Sequence, residues 1–210
     1  RSQSAIQPSI DLDLYGTGLG LNVLWIRANS SGYENDESLH FTLSYGNTIY
    51  ENETYATDYK IGWVYYDFPN VSSDVDLQEM FATLSFPEIC PEGVVPSYTI
   101  IKMWASEGNS LVGEYSGWLH ILGLDYDLPV EGLLPETPEQ ILHLSAAMVY
   151  NDGVAGVDRD WSHAVFGVST DFDLGYDCTL RPGVYYQSSW ESDVNPSDEF
   201  WCSVGVSYAF

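Results

Sequence analysis

Acidic residues dominate the side chains that could do chemistry, and several of them recur at alternate positions. The chain has 31 Asp and Glu residues against 6 Lys and Arg, giving a formal net charge of −25. Alternate residues of a β-strand share one face, so Asp11 and Asp13, or Asp171 and Asp173, would present paired carboxylates on one surface. Such a surface attracts cations and argues against nucleic acid or any other polyanion as a partner.

The residues predicted to face a solute are acids within strand-like segments and the few bases near them. They are Asp58, Lys60, Glu79, Asp171, Asp173 and Arg181, with Asp11 and Asp13 as further acids. The alternative interpretation of acids near strand ends is a solvated rim. Other acids crowd into 33–37, 158–160 and 191–199 between apolar stretches, which indicates exposed loops. Divalent cations that bridge such loops to lipid head groups are a further candidate partner.

The histidines and cysteines give little support for catalysis or for a metal site. His120 lies in the apolar segment 118–122, where a lipase on the wall of a membrane barrel would need it, but no Gly-x-Ser-x-Gly motif occurs. His40, His143 and His163 form no recognisable motif. The spacing of Cys90, Cys178 and Cys202 matches no zinc or haem pattern. We therefore predict no enzymatic activity, no metal and no cofactor.

These side chains must be positioned by β-strands, because the hydrophobic pattern has a period of two nearly throughout. We predict one domain over 1–210 and a helix only, if anywhere, within 129–140. The sequence contains no run of eighteen apolar residues, so it predicts no transmembrane helix. The eleven predicted strands are 5–15, 19–29, 37–48, 55–68, 76–87, 96–106, 115–128, 140–151, 161–174, 178–190 and 199–210.

Strand length and composition favour a membrane barrel over a soluble sandwich. Leu39, Phe41 and Leu43 alternate with small polar residues such as Ser38 and Thr42. The strands are longer than the usual five or six residues of soluble sheets, and a tilted membrane strand needs roughly nine to eleven. Aromatic residues make up 15% of the chain and charged residues only 18%, as expected for a protein anchored at membrane interfaces.

The end of the chain carries the most specific signal. In 200–210 apolar residues alternate with small ones, and the last residue is Phe210. This ending resembles the C-terminal assembly signal of bacterial outer-membrane barrels, matched by Ser203, Gly205, Tyr208 and Phe210. The resemblance implies recognition by the barrel assembly machinery and a periplasmic C-terminus.

Strand parity predicts one further strand. With Phe210 in the periplasm, eleven strands put Arg1 outside the cell, whereas bacterial single-chain barrels normally have an even number of strands. We expect twelve strands at full length, with the first preceding Arg1, unless one strand has been wrongly split or merged.

The chain resembles the TorF-type porin family. The resemblance rests on Ile6-Gln7-Pro8, on the segment from Gly62 to Pro69, and on the ending from Phe200 to Phe210. In that family an aromatic-Arg-Gly strand ending usually precedes the Gln-Pro segment, whereas here Ser2 follows Arg1. The family implies an outer-membrane barrel that acts as a pore.

The sequence thus predicts an all-β, antiparallel transmembrane barrel in a bacterial outer membrane. Its expected function is passive diffusion of small cationic or neutral solutes. The alternative is a non-conducting barrel that anchors a surface assembly or a partner protein. Expected partners are outer-membrane lipid and the assembly machinery, with a partner protein or a second copy as further candidates.

Overall fold

The protein folds into one antiparallel β-sheet. The computed structural model describes residues 4–29, 37–107, 116–132 and 139–210. Within them the sheet has thirteen strands. These are β1 (Ala5–Ile6), β2 (Ser9–Asp13), β3 (Leu19–Ala28), β4 (Glu37–Ile49), β5 (Thr57–Asp67), β6 (Leu77–Ser85), β7 (Val94–Ala105), β8 (Gly117–Glu131), β9 (Glu139–Asp152), β10 (Asp160–Thr170), β11 (Phe172–Gly175), β12 (Cys178–Ser189) and β13 (Glu199–Tyr208).

The long strands pair with their neighbours along the chain in a continuous meander. The ladder runs from β3 through β10 in chain order and then to β12 and β13, while β1 and β2 both pair with β3 and β11 pairs with β12. The prediction of an all-β, antiparallel protein is confirmed. The described residues contain no helix long and apolar enough to cross a membrane.

All eleven predicted strands are present, and two of them are each divided in two. The first becomes β1 and β2, and the break falls at Gln7-Pro8 because proline has no backbone N–H to donate to the ladder. Pro8 still accepts a bond from the Trp25 amide at 3.0 Å. The ninth becomes β10 and β11. At that break the side chain of Gln140 donates to the Asp171 carbonyl at 2.6 Å, in place of a ladder bond.

The two ends of the sheet are called the upper and the lower end, and each is defined by a connection between two strands. At the upper end β5 finishes at Asp67 and β6 begins at Leu77; at the lower end β11 finishes at Gly175 and β12 begins at Cys178. The latter connection is tight, and Gly175, Tyr176 and Asp177 all have positive φ. Short 3₁₀ turns cover Ser73–Val75 and Val154–Gly156 at the upper end.

The sheet does not close into a barrel. Its edges are β1 with β2 on one side and β13 on the other. Both edges run from the upper to the lower end, because β2 is antiparallel to β3 and β13 is antiparallel to β12. Two edges with the same direction cannot form an antiparallel pair with each other. The predicted closed barrel is therefore not what these residues form by themselves.

The two edges nevertheless face each other across a seam. A cleft of about 740 Å³ is lined by Ser4, Ala5 and Gln7 on one side and by 197–204 on the other. Below it a cleft of about 520 Å³ is lined by residues within 11–16 and by Tyr208, Ala209 and Phe210. The sheet therefore curls most of the way around, with its unpaired edges opposed.

Two predictions concern residues that the structure describes only in part. The acidic segment 33–37 lies outside the described residues except for Glu37, which begins β4. Of the possible helix within 129–140, residues 133–138 lie outside the described residues, while 129–131 belong to β8 and 139–140 to β9.

All three cysteines are free thiols. Cys178 pairs with Tyr208 and Cys202 with Val184, which places the two thiols far apart along the last hairpin.

Candidate functional site

The two faces of the sheet differ in chemistry, and their exposure is the reverse of that in a soluble protein. One face, called the apolar face, carries exposed aliphatic and aromatic side chains along the middle of the long strands, except on β7, where they are half-buried. They include Leu21, Leu43, Ile61, Met80, Leu122, Met148, Phe166, Val184 and Val204. The other, called the polar face, carries Ser38, Ser44 and Glu79, each no more than 9% exposed. Soluble proteins bury the first kind of side chain and expose the second.

Aromatic side chains on the apolar face concentrate near both ends of the strands. The upper row comprises Trp25, Tyr65, Trp104, Trp118, Tyr150, Trp161 and Tyr186, and the lower row comprises Tyr45, Tyr59, Tyr126, Phe172 and Tyr208. Members of each row touch: the rings of Tyr150 and Trp161 are 5.6 Å apart, and those of Tyr45 and Tyr59 are 6.1 Å apart. Two aromatic rows with aliphatic side chains between them match the girdles of membrane barrels.

The polar face carries a chain of charged side chains across four neighbouring segments. His143 on β9 lies between two carboxylates: its Nδ1 is 2.6 Å from Asp127 Oδ1, and its Nε2 is 3.7 Å from Asp171 Oδ2. Arg181 on β12 donates from both arms of its guanidinium to the two carboxylate oxygens of Asp171. These four residues, called the charged network, hold one another in fixed positions.

The charged network borders an open cavity. The cavity has a volume of about 300 Å³, and its lining includes Asp125, His143, Ser145, Ser169 and Arg181. The Arg181 side chain is 58% exposed and that of Asp127 also 58%, so both remain accessible to a solute. Carboxylates, an imidazole and hydroxyls around one space can hold a hydrated cation or a small polar molecule without any covalent chemistry.

A second polar cluster lies near the upper end, on β4, β5 and β6. Tyr66 donates from its hydroxyl to Glu79 Oε2 at 2.5 Å. Its ring meets the imidazole of His40 edge-on at 4.5 Å, and His40 Nε2 is 2.9 Å from Ser38 Oγ. The Glu79 carboxylate is therefore partnered on a crowded part of the polar face, where it is much less accessible than Arg181.

The six predicted solute-facing residues all lie along the polar face but do not form one cluster. Only Asp171 and Arg181 meet directly. Asp58 accepts a bond from Thr48 Oγ1 at 2.6 Å, and Lys60 stands opposite Gly46 and Thr83. The remaining acids have local partners: Asp173 accepts from the Gly175 amide at 2.7 Å in the lower turn, and Asp11 accepts from the Asn22 side chain at 2.6 Å.

Sequence reasoning missed the centre of the charged network. Asp127 and His143 come opposite each other only through the register of β8 and β9. The signal available was alternation, since Asp125 and Asp127 share parity in one segment and His143 and Ser145 share it in the next. Alternation assigns a face to each residue, but it does not say which residues of adjacent strands stand opposite each other.

Large rings on the polar face lie against glycines. A Cβ at Gly167 would come within 2.7 Å of the Tyr185 ring, and one at Gly183 within 2.8 Å of its hydroxyl. Tyr185 also stacks on Trp201, with ring centroids 5.5 Å apart. Phe81 occupies the same kind of position over Gly62. Because the glycines leave room, these rings lie along the sheet and do not project straight away from it.

At the upper end one carboxylate fixes the last hairpin. Asp198 accepts bonds from the Ser189 amide at 2.8 Å and from the Tyr186 hydroxyl at 2.7 Å. These bonds, the one from the amide first, hold the pKa of Asp198 below its usual value. The loop between β12 and β13 is thereby tied to the end of β12.

The predicted assembly signal spans both faces of β13. Ser203 stands opposite Gly183 and Gly205 opposite Arg181, on the polar face. Tyr208 stands opposite Cys178 on the apolar face, and its ring stacks on that of Phe210 at 6.4 Å. The outer edge of β13 has no strand partner among the described residues, and the strand is exposed along most of its length.

His120 is part of the upper aromatic region of the apolar face. Its Nδ1 lies 2.7 Å from the Tyr98 hydroxyl, and its ring stacks on that of Tyr98 at 6.1 Å. The only side-chain partner of its ring nitrogens in the described part of the chain is thus a tyrosine, not a serine. Nor do three His, Cys, Asp or Glu side chains converge to hold a metal ion anywhere in those ranges.

Comparison with known proteins identifies no relative, so the functional argument rests on the geometry described above. No protein-family model matches the chain, and no curated protein matches it significantly.

Proposed function

We propose that this protein is a transmembrane β-barrel of a bacterial outer membrane and a passive pore for small, preferably cationic or neutral solutes. The observation that carries the proposal is the reversed exposure of the two faces. A sheet that exposes Leu43, Met80 and Phe166 while burying Ser38 and Ser44 suits a surrounding of lipid around a polar interior. The two aromatic rows support it, because Trp and Tyr favour both interfaces of a bilayer.

Closure of the barrel needs one further strand in the seam. Because β2 and β13 run in the same direction, a single strand running from the lower to the upper end would be antiparallel to both edges. Counting β1 with β2 and β10 with β11 as continuous strands, that addition gives the even total of twelve. A segment preceding Arg1 would leave the seam at the upper end, where Ser4 accepts a bond from the Asn29 amide at 2.7 Å.

A conducting lumen is supported by the polar face. The rings of Tyr185 and Phe81 lie along glycines, so they take less of the cross-section than upright rings would. The face carries Asp11, Asp58, Asp125 and Asp127 among its acids, against the two bases Lys60 and Arg181 in the described strands. An excess of carboxylates around a water-filled lumen favours cations over anions.

Assembly and orientation follow from the C-terminal strand. Ser203, Gly205, Tyr208 and Phe210 match the outer-membrane assembly signal in a strand whose outer edge pairs with no other described strand. The assembly machinery would engage that edge, and the C-terminus would lie in the periplasm. The upper end would then face outward, and its acidic loops are candidates for divalent cations or a partner protein. The TorF-type porin family remains the proposed affiliation.

The test is conductance of the full-length protein in a planar lipid bilayer under a potassium chloride gradient. Stable steps with a reversal potential toward the potassium equilibrium value are expected. Protein that folds and inserts, as judged by a heat-dependent shift in gel mobility, but never conducts would overturn the pore.

The second candidate is a non-conducting barrel that anchors a surface assembly or a partner protein. The observation in its favour is the number of large side chains on the polar face, including Tyr66, Phe81, Tyr185 and Trp201. A twelve-stranded barrel is intermediate between the eight-stranded type, whose interior is filled by side chains, and the sixteen-stranded porins, which leave an aqueous channel. Inserted protein without conductance would favour this candidate.

A further inference from the structure

A groove runs along the apolar face across the middle of the sheet. It has a volume of about 580 Å³ and extends over β3 to β8. Its recess forms at Ala82, whose small side chain stands between Ile61 and Ile100 on the flanking strands. Trp63 and Met80 line it toward the upper end. The groove is therefore elongated and almost wholly apolar.

A single cation stands at the upper rim of this groove. Lys102 is opposite Met80 on one side and Trp118 on the other, so it belongs to the apolar face. Its Nζ lies 5.3 Å from the centre of the Trp118 ring and donates to Ser116 Oγ at 3.3 Å. No carboxylate of the described residues lies within ion-pair distance of it, since the ion pairs there involve Arg159, Arg181 and His143.

The position of Lys102 matches the head-group level of a membrane. Trp118 and Tyr150 belong to the upper aromatic row, which marks an interface if the sheet spans a bilayer. A lysine at that level extends its charge toward lipid phosphates while its methylenes stay on apolar surface. With no carboxylate of the described residues as its partner, the ammonium is complementary to an anion supplied by the lipid.

We propose that the groove binds one phosphate-bearing anionic lipid, with an acyl chain against Ala82 and the phosphate on Lys102. This inference rests on the proposed membrane location. The ring of Trp118 holds the ammonium by a cation–π contact and keeps it beside the groove. The lipid thus fills the recess at Ala82 and neutralises the ammonium at its rim.

The test is native mass spectrometry of the full-length protein released from mild detergent. The detergent contains equal amounts of phosphatidylglycerol and phosphatidylcholine with the same acyl chains. The wild type is expected to retain phosphatidylglycerol in preference. Lys102→Met should reduce that preference about fivefold, because one basic residue near a surface contributes about that much. Lys102→Arg should keep it, and Lys60→Met, which removes a cation from the polar face, should leave it unchanged.

A second pair of variants tests the groove itself. Ala82→Trp fills the recess and should lower retention of both lipids, whereas Ala146→Trp adds the same ring on the apolar face, outside the groove lining, and should not. Undiminished preference in Lys102→Met, or equal retention in the two tryptophan variants, overturns the site. If the wild-type protein inserts into liposomes but shows no preference for phosphatidylglycerol over phosphatidylcholine, only the lipid site is overturned. Failure of the wild type to insert overturns the proposed membrane barrel and the site with it.

Discussion

The charged network should influence ion selectivity, and two single substitutions within it should shift that selectivity in opposite directions. Asp171→Asn removes a negative charge from the polar face and leaves Arg181 without its paired carboxylate. A carboxylate about 7 Å from a passing monovalent cation contributes about 0.6 kcal/mol at the dielectric constant of water. That corresponds to about a threefold change in local cation concentration. Because the same carboxylate repels an anion as strongly as it attracts a cation, the two effects add to about 1.2 kcal/mol, and we expect the cation-to-anion permeability ratio to fall roughly sevenfold.

The companion variant should move the ratio in the opposite direction. Arg181→Gln removes the positive charge and leaves Asp171 without its arginine partner to attract cations, so the ratio should rise roughly sevenfold by the same reasoning. Both variants lose a two-pronged ion pair whose members are partly exposed, and each should be less stable by about 1 kcal/mol.

The assay is the reversal potential of single channels in a potassium chloride gradient, repeated at high salt. Screening should shrink both shifts, because the Debye length falls to about 3 Å at 1 M salt. Asp193→Asn is the matched control, since it removes one carboxylate from the exposed loop before β13. Unchanged selectivity in both network variants, or shifts of the same sign, would refute the argument that the network borders the ion path.

Three further predictions concern stability and conductance. Gly117→Ala places a Cβ 2.3 Å from the Val154 amide nitrogen, a backbone atom that cannot easily move, and should lower the free energy of unfolding by about 2 kcal/mol in urea titrations. Gly167→Val should displace the Tyr185 ring from the sheet and reduce conductance, and an unaltered conductance would contradict the flat-ring argument. Asp198→Asn should lower the thermal midpoint at pH 7, because a depressed carboxyl pKa stabilises the fold above the unfolded pKa; the difference from wild type should begin to shrink as the pH falls below about 4 and vanish once it is below the depressed pKa of the folded state.

The strand pattern was predictable because one face of the sheet is predominantly apolar. In β4 the alternation of Leu39, Phe41 and Leu43 with Ser38 and Thr42 fixes the period of two, and the observed strand covers them all. The divisions at Gln7-Pro8 and at Asp171 were not predicted. At Asp171 the cause is a long-range bond from Gln140, which no local pattern contains.

The site was less predictable, because its partners depend on register. Parity alone placed Asp171 and Arg181 among the solute-facing candidates. Pairing Asp127 with His143 required the alignment of β8 with β9, which depends on where the segment between those strands begins and ends. A slip of two residues would preserve every face and break this contact. The sequence therefore assigns residues to faces of the sheet. Identifying the contacts of the charged network also requires the register of the paired strands.

The strongest argument for a lipid surrounding is that nothing among the described residues covers the apolar face. A soluble sandwich would need a second layer over Leu43, Met80 and Phe166, but all thirteen strands belong to one sheet and the described 3₁₀ turns lie at its upper end. In water each exposed aliphatic side chain would forgo roughly 1.5 to 3 kcal/mol of burial. In a bilayer those side chains meet acyl chains, and a single curled sheet with a polar interior becomes the stable arrangement.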